Sequence, residues 1–173
     1  MKRLTFALIL LALALTPAAQ ADSARKRDRR HRDTVVATRP VDRNSFAVAK
    51  RNVVVVSHNR GWWHARYPHT RFVLFGGGYY YWWGGYWYPA YGYDPAYNSY
   101  GYSEPIYGYN NLAPGQVLEN VQVALRNQGY YHGAIDGLVG PETRAALAAY
   151  QRDHGLVVTS AVDEPTLVTL GLA

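Results

Sequence analysis

Apolar positions in the last third of the chain recur at helical spacing. In VLENVQVALRNQG, Leu118, Val121 and Leu125 fall at i, i+3 and i+7, and Gly129 closes the segment in a C′-like position. In PETRAALAAYQRDHG, Pro141 stands at a first-turn position, and Thr143, Ala146, Leu147 and Tyr150 share one face up to Gly155. The intervening YYHGAIDGLVG reads as a loop with Asp136-Gly137 as its turn signal. LVVTSAV is a short extended stretch, after which Asp163 caps a last helix from about Glu164 to Leu170, ended by Gly171. These segments predict three helices around one small core. Its expected members are Leu118, Val121, Leu125, Ile135, Leu138, Ala146, Leu147, Tyr150, Leu156, Val162, Leu167 and Leu170. A unit of about 60 residues is near the lower size limit for a lone domain.

Upstream the pattern is different. Val53–Val56 and Phe72–Phe75 are short β-branched or aromatic runs, the second stopped by a triple glycine. They predict a candidate β-hairpin across a loop holding Trp62 and Trp63. Residues 76–109 contain twelve Tyr, three Trp and eight Gly but only two charges. Glycine and proline interrupt helices there, and no polar–apolar alternation fixes a strand register. This tract is expected to be a tether with fluctuating aromatic clusters. The predicted fold class is therefore mainly α: a three-helix bundle behind a candidate hairpin and disordered or low-complexity segments. The expected organisation is a signal peptide (1–21), a disordered basic arm (22–51), the hairpin (52–75), the Tyr/Gly/Trp-rich tether (76–115) and the helical domain (116–173).

The first 21 residues set the expected location. Lys2 and Arg3 precede an apolar run from Leu4 to Leu15, followed by Ala19-Gln20-Ala21. That is the layout of a secretory signal cleaved before Asp22, which points to the periplasm or cell envelope. No later run reaches the roughly 18 apolar residues of a membrane span, so no transmembrane segment is expected in the mature chain. The chain has no cysteine, which excludes disulfides, thiol catalysis and thiolate metal sites.

Charge is segregated. Residues 22–51 carry ten Lys/Arg against four Asp, residues 52–115 three Arg against two acids, and residues 116–173 three Arg against six acids. The high pI belongs to the arm, so a nucleic-acid partner is not expected. The arm suits anionic envelope polymers, or serves as a solvated linker.

His58, His64 and His69 match no standard metal spacing and have no nearby carboxylate, so no metal and no cofactor are expected. No paired carboxylates on a rigid cleft and no nucleophile–base pair are visible, which predicts a non-enzyme with no catalytic residues.

Gln122, Leu125, Gly129, Tyr130, Gly133, Asp136, Gly137, Gly140, Thr143, Tyr150, Gln151, Gly155, Leu156, Asp163 and Thr166 together resemble the peptidoglycan-binding-like domain appended to many bacterial cell-wall enzymes. One departure stands out: where that pattern has a glycine after the threonine of the extended stretch, Thr159 is followed by Ser160. The resemblance implies non-covalent binding of peptidoglycan, glycan or stem peptide, in a cleft beside the second helix. Its candidate contact residues are Tyr130, Tyr131, Asp136, Thr143, Tyr150 and Gln151. The tyrosines would stack on a sugar or stem peptide, or one of them would plug the core. Asp136 would accept from a ligand amide, or bond its own loop. Thr143 and Gln151 would bond ligand, or cap locally. Two other readings stay open: an adhesive surface protein acting through its aromatic tract, and a docking partner or regulator of a wall hydrolase.

Overall fold

The computed structural model describes residues 45–173. The expected signal peptide and most of the expected basic arm lie outside the described residues. The described chain runs α1 (Phe46–Arg51), α2 (Arg60–Arg66), β1 (Phe72–Phe75), β2 (Gly78–Trp83), β3 (Tyr86–Pro89), β4 (Ile106–Tyr107), α3 (Pro114–Asn127), α4 (Pro141–Asp153) and α5 (Glu164–Thr169).

The described residues are not mainly α. The stretch expected to be a tether supplies most of a four-stranded antiparallel sheet in the order β1-β2-β3-β4. Its glycines make the turns. Gly76-Gly77 joins β1 to β2 and Gly84-Gly85 joins β2 to β3, all four at positive φ between 55° and 88°. Two-residue hairpin loops whose twist matches the strands need positive φ at both positions, and glycine adopts it without a Cβ clash. The register follows, with Phe72 opposite Tyr81, Trp82 opposite Trp87 and Trp87 opposite Ile106.

The expected hairpin is also corrected. Phe72–Phe75 is a strand, but it pairs with β2 rather than with Val53–Val56, which has no strand structure and leaves Val55 and Val56 exposed. The loop meant to carry Trp62 and Trp63 is helix α2, capped by the Asn59 side chain accepting from Trp62 N–H at 3.0 Å. The last residues of the expected disordered arm form α1, capped by Ser45, with Phe46 and Ala49 buried.

The strands lack polar–apolar alternation because both faces of the sheet are covered. Val73, Phe75, Tyr80, Trp82, Trp87 and Ile106 cluster with Val117, Leu118, Val121, Leu125, Leu147 and Leu167 of the helical module. Phe72, Tyr79, Tyr81, Tyr86 and Tyr88 cluster with Phe46, Ala49 and Trp63 of α1 and α2. A sheet buried on both sides reads as a continuous apolar run. Tyrosine suits this position because its ring packs while its hydroxyl reaches a carbonyl. Tyr80 donates to Tyr102 O, and Tyr100 donates to Ala90 O at 2.7 Å. Burial raises the Tyr80 and Tyr81 hydroxyls far above the usual tyrosine range and pushes Tyr100 up to about 12, so all three remain donors in moderate alkali.

The three expected helices are present in the module, but they share their core with the sheet. The backbone joins them as well: Tyr107 N–H of β4 donates to Val162 O at 2.8 Å. Most expected core residues are buried or packed against the core; Leu138 is the exception, at 45% exposure.

Candidate functional site

Two buried glutamines organise the module. Gln122 of α3 and Gln151 of α4 are both fully buried. The Gln122 Oε1 accepts from the Asp136 and Gly137 amides at 3.1 and 2.9 Å, and its Nε2 donates to Asp136 Oδ1 at 2.8 Å and Leu138 O at 3.0 Å. Gln151 repeats the arrangement one helix later. Its Oε1 accepts from Thr159 and Ser160 N–H, both at 2.9 Å, and its Nε2 donates to Ala161 O at 3.1 Å and Thr166 Oγ1 at 2.9 Å. In each case a helix-borne carboxamide clamps the next loop and reaches the threonine in the first turn of the next helix, Thr143 at 3.4 Å or Thr166. A carboxamide suits this role, with two acceptor sites and two donors for loop backbone that would otherwise be buried without partners. This duplicated clamp was missed in the sequence, although its signal, Gln122 and Thr143 followed by Gln151 and Thr166, was present.

The clamp holds the turn at the one departure from the pattern that the sequence resembles, with Ser160 N–H donating to Gln151 Oε1. Ser160 adopts φ 55, the left-handed conformation that glycine would take at the same place. The turn is therefore retained at the expense of local strain, which for an L residue is about 1 kcal/mol. Ser160→Gly is expected to raise stability by up to about 1 kcal/mol, measured as a higher urea midpoint with an unchanged m-value. An unchanged or lower midpoint would remove the strain argument.

The six candidate contact residues separate by accessibility. Tyr131, Thr143, Tyr150 and Gln151 are at most 3% exposed. Tyr131 donates to Ala134 O at 2.6 Å, and Thr143 to Leu138 O at 3.2 Å. Tyr150 stacks on His154 with centroids 3.9 Å apart. These four build the loops and the core. Tyr130 is half-buried and donates to Asp153 Oδ2 at 3.2 Å.

Asp136 is exposed and lines a crevice of about 310 Å³. One wall is the α3–α4 loop, with Leu138 and Gly140; the other is the sheet side, with Phe75, Gly76 and Tyr102. Asp136 Oδ1 accepts from Gln122 and, at 2.9 Å, from Leu138 N–H, so the expected loop bond is present. The Gln122 bond first, and then the Leu138 amide, hold this carboxyl below the usual range. Its stabilising effect is present above that range and fades as pH falls through the lowered value. Neither bond uses Oδ2. The crevice thus offers an anionic acceptor beside an exposed leucyl side chain, facing a wall that holds Phe75 and Tyr102. The structure brings Asp136 to it but not Tyr130, and adds Leu138 and Tyr102, which sequence reasoning had assigned to the core and to the tether.

The expected hairpin histidines do not converge. His58 stacks on Trp62, with centroids 3.6 Å apart, and His64 lies 3.1 Å from the Tyr93 hydroxyl. No helix among the described residues is long and apolar enough to cross a membrane.

Comparison with known proteins places this module. Residues 114–170 match the family described as "Putative peptidoglycan binding domain". The chain is 44% identical over 66 residues to the localization factor PodJL of Caulobacter vibrioides, a match covering 36% of this chain and 7% of that protein. It is 46% identical over 52 residues to "Putative OxPP cycle protein OpcA" of Synechococcus elongatus, covering 30% of this chain and 12% of that protein. The chain thus spans a small fraction of the curated relatives it matches. No solved structure matches it.

Proposed function

We propose that this is a non-catalytic, peptidoglycan-binding protein of the bacterial envelope, exported by its N-terminal leader, that anchors or scaffolds on the wall. The observation that carries the reading is the family match over residues 114–170, which contains the crevice-lining loop from Asp136 to Gly140. Asp136 Oδ2 would accept from a stem-peptide or N-acetyl amide, and Leu138 would cover the apolar side of the ligand. Few ligand atoms fit such a crevice, so affinity is modest and is raised by repetition along the polymer. Against the adhesive reading, Tyr80, Tyr81, Tyr86, Trp87 and Tyr88 are at most 1% exposed, so these rings serve the interior.

The test is co-sedimentation of the full chain with purified sacculi. Leu138→Ser removes an exposed apolar contact and leaves the core in place. It is expected to keep the wild-type melting curve and to weaken sedimentation roughly fivefold to tenfold, the worth of about 1–1.4 kcal/mol of apolar burial. Wild-type protein left in the supernatant would sink the wall-binding reading. Full sedimentation of Leu138→Ser would move the site away from this crevice.

A further inference from the structure

A recess larger than the crevice, about 540 Å³, opens where β2 turns into β3, outside the residues that match the wall-binding family. Trp82, Trp83, Trp87 and Tyr67 line it together with Arg66 and Arg71, and no carboxylate does. Arg71 is fixed in place. Its guanidinium lies 4.7 Å from the Trp87 ring centre, and Nη2 donates to Asn111 O at 3.0 Å. Asn111 itself is held at φ 58, a left-handed conformation that asparagine tolerates. Arg66 sits 5.1 Å from the Tyr67 ring. Among the described residues neither guanidinium pairs with an acid.

The indoles are equally pre-set. Trp82 packs on Trp87 with centroids 5.2 Å apart. A Cβ at position 108 would come within 2.3 Å of the Trp82 ring, so Gly108 is what allows the ring its place. Trp83, the residue after Trp82, projects to the opposite face of the strand, where it lies 6.3 Å from the Tyr88 ring and is 46% exposed. Rigid aromatic surface recognises flat apolar faces such as those of sugar rings, at little entropic cost. Unmatched guanidinium forks recognise planar oxyanions, carboxylate above all.

We propose that this recess is a second binding site, for a carboxylate-bearing saccharide whose ring lies on Trp83 and whose carboxylate meets Arg66, with Arg71 and Trp82 bounding the recess from the other face of the sheet. The site goes beyond wall binding by the helical module and does not depend on it. A ligand of phosphate alone would satisfy the arginines and leave the indoles unused. A neutral sugar would do the reverse. Two sources carry the required chemistry: an acidic matrix polysaccharide built from uronic acids, and wall fragments with free carboxylates.

Calorimetric titration of the full chain tests it. The probes are a galacturonic acid hexamer, maltohexaose as its neutral counterpart, linear hexaphosphate, and soluble disaccharide-peptide wall fragments. At least one acidic saccharide is expected to bind, with maltohexaose and hexaphosphate at least about tenfold weaker. Trp83→Ala and Arg66→Gln are each expected to weaken the acidic saccharide by about tenfold while staying folded, with melting midpoints within a few degrees of wild type, and Arg152→Gln to change nothing. Which acidic probe is lost in Trp83→Ala names the source: the hexamer points to matrix polysaccharide, the wall fragment to peptidoglycan. The proposal is overturned if neither acidic saccharide binds, if Trp83→Ala binds as wild type does, or if hexaphosphate binds as tightly as the saccharide. Binding of the hexamer alone leaves the sacculus assay to the Leu138 crevice, whereas binding of wall fragments adds a second contribution there, which Trp83→Ala removes and Leu138→Ser does not.

Discussion

Trp87→Ala is expected to cost about 3–5 kcal/mol, the usual range for emptying a fully buried large aromatic site. Trp87 is fully buried and stands opposite Trp82 on one neighbouring strand and Ile106 on the other. Its Nε1 donates to Leu112 O at 3.1 Å in the segment entering α3, and its ring carries the Arg71 guanidinium. Truncation therefore opens a cavity between sheet and helices and leaves the Leu112 carbonyl without this donor. Against a typical total stability of about 5–15 kcal/mol the loss is large. It is read as a fall in the urea midpoint, followed separately by tryptophan fluorescence and by far-ultraviolet helix signal. Because sheet and module share one cluster, both probes should shift together. Trp83→Ala, on the exposed side, should cost less than about 1 kcal/mol. If the helix signal of Trp87→Ala melts as in wild type, the aromatic tract is a tether after all.

Gln122→Met should be nearly as damaging despite its close match in size. The substitution leaves the Asp136 and Gly137 amides without their acceptor, and deprives Asp136 Oδ1 and Leu138 O of a donor. A buried group left unsatisfied costs about 1–3 kcal/mol, so a total of about 3 kcal/mol or more is expected. The site-specific readout is hydrogen exchange at the Gly137 amide, which should speed up well beyond the global change because its acceptor is gone. Wild-type stability together with slow exchange at Gly137 would show that the loop holds itself and that the clamp is incidental. The same change also distorts the wall of the crevice, so wall sedimentation should fall with it.

The helical module was legible because its signals are local. Gly129, Gly155 and Gly171 adopt positive φ just past the helix ends, Pro141 starts α4, and the Asp163 side chain accepts from Thr166 N–H at 3.0 Å. Each signal acts within a few residues and survives any tertiary arrangement. The candidate contact residues were less legible. Thr143, Tyr150 and Gln151 were placed on the right helix, yet the same polar atoms that would suit a ligand are used on the protein's own loops. A polar side chain at helical spacing looks alike whether it faces a cleft or a buried turn, and only packing separates the two cases.

The sheet was missed for a different reason. FVLF-GG-GYYYWW-GG-YWYP contains two Gly-Gly turns at the spacing of a meander. Glycine richness nevertheless suggested looseness, and the absence of alternation argued against a strand. Alternation marks a sheet with one wet face; here helices cover both. By itself, the sequence determined the three C-terminal helices, their caps and their family likeness, because hydrogen-bonded turns and capping are short-range. Only the tertiary structure decided that the tyrosine tract is core and not tether, and that Asp136 but not Gln151 is accessible. Burial is a property of what lies opposite a residue in space, and the residues opposite this tract come from both of its flanks in the chain.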